Sequence, residues 1–264
     1  MQIFSSENGF VEENGLGYDA DSLLRQNTRY AKFIAPFTGQ FQGKQVLDLG
    51  AADGRWSFAS LASGAASVVA IEYRQENIAL SKHLLKPDMA KRVNFIQGDM
   101  FEVMPKLRAK KEKFDIVLCF GMVQHVADHN RLLALMTAFQ PQLIIVDGRF
   151  VDSDDRLTIL KVDPVKGPSS AAPGFAGQTV VPVGIISRAG FMFLARCHGY
   201  KAKILPWKKT DLETPAVMGS YFRANEQGIK AFSMVLMPDE PKTVAATPAE
   251  AKALAATPAD QMPA

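Results

Sequence analysis

Val46-Leu47-Asp48-Leu49-Gly50-Ala51-Ala52-Asp53-Gly54-Arg55-Trp56 joins an apolar run with an acid near its end to a turn of very small residues. Helical periodicity follows from about residue 57. The stretch reads as strand, tight loop, helix. Small residues at such a corner let a ligand lie against the backbone, where the helix N-terminus presents its free N–H groups. A dinucleotide corner wants G-x-G-x-x-G, with its acid about 20 residues later. Here the spacing is Gly50-x-x-x-Gly54, and Asp48 precedes the first glycine. No third glycine follows at the dinucleotide spacing. No Lys-Ser/Thr pair follows either, which excludes a nucleoside-triphosphate phosphate loop.

Three later stretches are apolar strands with an acid at one end. Val68-Val69-Ala70-Ile71-Glu72 ends in one, Val93-Asn94-Phe95-Ile96-Gln97-Gly98-Asp99 ends in Gly-Asp, and Phe114-Asp115-Ile116-Val117-Leu118-Cys119 opens with Phe-Asp. In this order the four stretches resemble the motifs of the class I, Rossmann-like S-adenosylmethionine-dependent methyltransferases, of the small-molecule type. The first motif of that family is acid-x-Gly-x-Gly-x-Gly, and Ala52 stands at its middle glycine. The resemblance covers residues 45–147 closely and extends loosely to residue 238.

The resemblance implies an α/β fold: a seven-stranded, mostly parallel sheet with an antiparallel last strand and helices on both faces. It implies S-adenosylmethionine as cofactor, leaving as S-adenosylhomocysteine. It places cofactor contacts at Asp48, Gly50, Ala52, Gly54, Glu72, Tyr73, Asp99, Met100 and Phe120. Glu72 would accept both ribose hydroxyls and Asp99 the adenine amino group, with Met100 and Phe101 as apolar walls. Read without the family, Glu72 caps a helix at 75–85 and Asp99 one at 101–107.

A chain of 264 residues has room for one α/β domain with a large core. No run approaches the ~18–20 apolar residues of a membrane span. Residues 1–5 lack a basic region followed by an apolar one, so no secretory signal is expected. Cys119 and Cys197, the two cysteines, fall in predicted core elements and suit reduced thiols in a cytoplasmic setting. A net charge of +3 demands no polyanionic partner.

Residues 1–40 read as a cap. Leu23, Leu24, Tyr30, Phe33 and Ile34 recur at helical spacing within 18–37, and Pro36 marks the end. The core domain spans 41–238. Its strands are expected at 44–49, up to 72, up to 99, at 115–120, at 142–147 closed by Gly148-Arg149, at 201–206 and at 231–237. Ser187 is expected to cap a helix to about 198. Two excursions, about 150–184 and 208–230, lie where such a scaffold carries substrate specificity. The first holds two short strands, 157–162 and 178–181, around a Pro/Gly/Ser loop. The second offers Tyr221 and Arg223 as substrate contacts. From 239 to 264 the composition is Ala, Thr and Pro with Ala-Ala-Thr-Pro-Ala repeated, and a disordered tail is expected.

Strand four feeds Gly121-Met122-Val123-Gln124-His125-Val126-Ala127-Asp128 at the end of the sheet where ligands bind. The resemblance puts the transferable methyl there. Histidine is the side chain suited to proton removal near neutral pH, so His125 is the candidate base, and Asp147, ending strand five, its competitor. Asp147, Asp154, Asp155 and His125 could offer metal ligands. Strand four, however, ends in Phe120-Gly121 without the acid of the catechol type, and no metal is expected. Lys106, Arg108, Lys110, Lys111 and Lys113 put five positive charges in eight positions. They feed the amino end of strand four, away from the ligand, and read as a solvated turn. With no Asn/Asp-Pro-Pro-Tyr/Phe tetrapeptide and no RNA-binding module, nucleic acid is not the expected partner. The expectation is methyl transfer to a small hydroxylated metabolite, with oxygen as acceptor. A small amine, RNA, or an inert cofactor-binding scaffold are the alternatives.

Overall fold

Among the described residues nine runs become strands: β1 (Gln45–Leu49), β2 (Ser67–Glu72), β3 (Val93–Gln97), β4 (Ile116–Phe120), β5 (Leu143–Val151), β6 (Thr158–Pro164), β7 (Val180–Ile186), β8 (Tyr200–Ile204) and β9 (Ile229–Pro238). They are seen in a computed structural model, which describes residues 3–5, 20–167, 170–207 and 224–239. Seven build one sheet in the order β3-β2-β1-β4-β5-β9-β8. β9 runs antiparallel to both its neighbours, β5 and β8, and the remaining pairs are parallel. This is the expected architecture.

Among the described residues eight α-helices cover the sheet: α1 (Ala20–Phe33), α2 (Thr38–Phe41), α3 (Arg55–Ala62), α4 (Gln75–Leu84), α5 (Pro87–Ala90), α6 (Met100–Ala109), α7 (His129–Thr137) and α8 (Arg188–Cys197). Successive strand residues point to opposite faces, so each parallel strand feeds two cores. Val46, Ile116 and Leu118 pack against Tyr30, Phe33, Trp56 and Phe58 of α1 and α3. Leu47, Val117 and Ile144 pack against Met104, Leu133, Met136 and Phe191 of α6, α7 and α8.

Several boundaries differ from the sequence reading. β5 does not close at Gly148-Arg149. Gly148, Arg149, Phe150 and Val151 continue it, because β9 supplies partners as far as Ile229. β3 stops at Gln97, and Gly98, with φ +153°, turns the chain so that Asp99 caps α6. The first helix ends at Phe33, and Ala35–Phe37 forms a separate 3₁₀ turn around Pro36. Lys106 and Arg108 lie inside the last turn of α6 rather than in a loop, where cations suit the helix C-terminus.

The first excursion forms an antiparallel hairpin of β6 and β7, paired from Thr158–Ile186 to Pro164–Val180. β6 is longer than expected and includes Asp163. The candidate substrate residues Tyr221 and Arg223, and the Ala/Thr/Pro tail from residue 240, lie outside the described residues. Among the described residues no helix is long and apolar enough to cross a membrane.

Candidate active site

The carboxyl ends of β1, β2 and β4 open into a cavity of about 450 Å³, closed on one side by residues 170–172 of the hairpin loop. That is within the usual range for a small-molecule site. The corner after β1 forms its floor. Gly50 (φ +66°), Ala52 (φ +49°) and Gly54 (φ +77°) all take the left-handed conformation that lets the chain turn so sharply. At Gly50 a Cβ would stand 2.2 Å from the Met122 sulfur, so any larger residue would have to displace the Met122 side chain as well as adopt the positive φ. Ala52 accepts the same conformation at a cost of about 1–2 kcal/mol.

Gly50, Ala52, Glu72, Tyr73, Asp99, Met100 and Phe120 all line the cavity. Two candidate contacts do not. Asp48 is only 1% exposed and sits behind the loop, where its carboxylate accepts from the Ser57 hydroxyl at 2.7 Å. Burial pushes its pKa up to about 7. Gly54 precedes α3 and packs against Ser81, 3.0 Å from where its Cβ would be. Both shape the corner from behind because the chain dives into the core on either side of Gly50–Ala52.

Glu72 is buried, and its carboxylate is heavily used. Oε2 accepts from Ala52 N at 2.9 Å, while Oε1 accepts from Arg74 N at 2.9 Å and Asn77 Nδ2 at 3.2 Å. A carboxylate offers about four acceptor sites. This leaves room for one further donor where two ribose hydroxyls were expected. Asp99 Oδ1 caps α6 by accepting from Phe101 N at 2.8 Å. Its Oδ2 has no partner among the described residues and remains for an external donor.

Beyond Phe120 the chain makes a 3₁₀ turn, Val123–His125. Gln124 holds it by donating to the Gly121 carbonyl at 2.7 Å and accepting from Arg149 N at 3.2 Å. His125 thereby reaches the cavity wall. Its Nδ1 lies 2.8 Å from Asp163 Oδ2 on β6, and that oxygen also accepts from Ala171 N at 3.1 Å. A carboxylate can only accept, so Nδ1 carries a proton, and in the neutral imidazole the lone pair belongs to Nε2. His129 is different in kind. It is buried with Nε2 on the Val123 carbonyl at 3.0 Å, and burial lowers its pKa.

Asp147 does not reach the cavity. It is fully buried, bound at 2.5 Å to Arg29 of α1 and at 2.9 Å to the Ser233 hydroxyl. The strand alternation turns it toward the α1 side of the sheet, where Arg29 does line the cavity, 4.9 Å above the Trp56 ring. Arg29, Trp56, Gln124 and Asp163 escaped the sequence reading. Arg29 and Trp56 lie on amphipathic helices as ordinary inward residues, and Asp163 has no local motif at all. Among the described residues no group of three His, Cys, Asp or Glu side chains is gathered to hold a metal. Asp154 instead pairs with Arg188 at the surface, 2.8 Å away.

Residues 40–157 match a family described as a methyltransferase domain. No curated protein matches the sequence significantly. Among solved structures, the N-terminal domain of EvdMO1, crystallised in the presence of SAH and D-fucose, superposes with a TM-score of 0.58 at 19% identity, covering 88% of this chain and 89% of that one. Magnesium protoporphyrin IX methyltransferase (ChlM) from Synechocystis PCC 6803, with bound SAH, superposes with a TM-score of 0.53 at 11% identity, covering 88% and 92%. The [4+2]-cyclase SpnF shares the fold too, with a TM-score of 0.52 at 11% identity, covering 85% and 84%. At these identities the likeness carries the fold alone; the family match over residues 40–157 carries the enzyme class.

S-adenosylmethionine fits what the wall offers. Asp99 Oδ2 and the remaining acceptor site of Glu72 suit the adenine amino group and a ribose hydroxyl. The sulfur-bearing chain beyond them would run past Gly50, where the Met122 side chain lies against the backbone. Sheet order, motif order and the match over residues 40–157 together identify a methyltransferase domain on the class I S-adenosylmethionine-dependent methyltransferase fold.

Proposed function

We propose that the enzyme methylates a hydroxyl group of a small acceptor, with His125 as general base and Asp163 as the residue that orients it. The observation that carries this reading is the 2.8 Å contact between His125 Nδ1 and Asp163 Oδ2 at the cavity wall. Bound S-adenosylmethionine supplies an activated methyl group on a sulfonium, so the protein's part is alignment and proton management. An alcohol or phenol must lose its proton as it attacks, and an amine that arrives neutral needs no base. A histidine with its outer nitrogen fixed by a carboxylate suits the first acceptor and is superfluous for the second.

His125 Nε2 accepts the hydroxyl proton. Asp163 holds the protonated tautomer at Nδ1 and stabilises the imidazolium that results. Asp147 acts elsewhere: it anchors Arg29, and with it α1, over the cofactor end of the cavity. The hairpin carries both Asp163 and the wall at 170–172, so it joins base orientation to acceptor selection. The cavity's size and the hairpin roof favour a small molecule over RNA or protein, and a cytoplasmic setting belongs to the same reading. A radiolabelled methyl-transfer screen across phenols, sugars, small amines and bulk RNA tests it. Label in hydroxylated small molecules supports the proposal. Label confined to amines removes the need for His125, and label chiefly in RNA overturns it.

A further inference from the structure

The strand order sets out the cofactor's parts in sequence. From the outside of the sheet inward run β3, β2, β1 and β4, carrying Asp99, Glu72, Gly50 and Phe120 at their ends. Adenine, ribose, sulfur and the amino-acid chain follow one another in the same order in the cofactor. With the nucleoside at Asp99 and Glu72, the sulfur comes to the gap between β1 and β4. A side chain from just beyond β4 lies against Gly50 there. Met122, two residues beyond β4, is partly buried and lies flat on Gly50; a Cβ there would stand 2.2, 2.7 and 3.2 Å from its Sδ, Cγ and Cε. The carboxylates of the wall are elsewhere: Glu72 and Asp99 at the nucleoside end, Asp128 at the start of α7. The neighbouring Trp56 ring already faces the Arg29 guanidinium at 4.9 Å.

We propose that Met122 reads the charge on the cofactor's sulfur, holding the sulfonium of the substrate form in preference to the neutral thioether of the product. The physical basis is polarisability. A thioether sulfur is soft and electron-rich, and gains a charge-induced attraction from a sulfonium that it lacks toward another thioether. The spent cofactor loses that attraction when its methyl leaves, which assists its release. A carboxylate in the same position would hold the sulfonium harder but would also lie open to methylation. The inference rests on the cofactor and is independent of whether the acceptor is a hydroxyl.

Calorimetric titration of the intact chain with S-adenosylmethionine and with S-adenosylhomocysteine tests it, using Met122→Leu, which keeps the volume and removes the sulfur. The expected result is a roughly 3- to 10-fold weaker affinity for S-adenosylmethionine. Affinity for S-adenosylhomocysteine should stay within about twofold, and the melting temperature should be unchanged. Equal effects on both ligands, or none on either, would overturn the proposal. So would tighter binding of both ligands to Met122→Ala, which would make Met122 a plug over Gly50. If the intact chain binds neither ligand, the family placement fails along with the inference.

Discussion

Replacing Asp163 by asparagine removes one charge from the pair with His125 and almost nothing else. The amide keeps an oxygen for Ala171 N, which the carboxylate accepts from at 3.1 Å. What is lost is the difference between a charge-assisted and a neutral hydrogen bond, about 1–2 kcal/mol. Both side chains are 22% exposed, so water screens part of the attraction and the larger values of a dry interior do not apply. The carboxylate stabilises the imidazolium only as it forms, so the loss falls on the transition state. At 1.36 kcal/mol per decade, kcat should fall roughly 5- to 30-fold. The assay is initial-rate methyl transfer to the best hydroxylated acceptor, with cofactor affinity measured separately by calorimetry. Cofactor affinity should stay within about twofold, since Glu72 and Asp99 are untouched. His125→Ala alone should cost roughly 100-fold or more, and adding Asp163→Asn to it should cost little further, because the two act as a unit. An unchanged kcat in Asp163→Asn, or independent multiplication of the two losses, would refute the dyad.

Asp147→Asn should act on stability: it replaces the charged acceptor of the Arg29 hydrogen bond by a neutral one, and urea denaturation should show a loss of about 1–3 kcal/mol, whereas no measurable loss would deny Asp147 its anchoring role. The folded Asp48 has a pKa of about 7 against 3.8 for the ordinary side chain, so its proton is bound more tightly in the native state. Its contribution is therefore fully present below about pH 4 and lost as pH rises through 7, roughly 4 kcal/mol in all. Asp48→Asn should flatten the fall in melting temperature between pH 5 and pH 8, and an unaltered fall would assign it to other groups. Ala52→Gly should melt at the same temperature or slightly higher, because relief of the left-handed alanine offsets the added chain entropy; a clear drop would show that the methyl is needed for packing.

Much of the fold was legible because its determinants are local. The apolar runs, the glycine corner at Gly50–Gly54 and the acids at Glu72 and Asp99 are short-range patterns, and each specifies a strand, a turn or a cap by its own sterics and hydrogen bonding. The order of these patterns along the chain was enough to point to a parallel sheet and to residues that line its ligand-side cavity. Tertiary structure decided what distance along the chain conceals. Arg29 and Asp147 are 118 residues apart, and His125 and Asp163 are 38 apart; no periodicity links either pair. Only the packing of α1 on the sheet and of the hairpin beside the 3₁₀ turn brings them together. Burial is likewise a property of the whole. Asp48 and Asp147 sit on strands that end at the ligand side, and as residue types both could serve a site. The side of the sheet each faces, and the partner waiting there, turned the first into a loop support and the second into a helix anchor. Asp163, bare of any motif, became the residue that orients the candidate base.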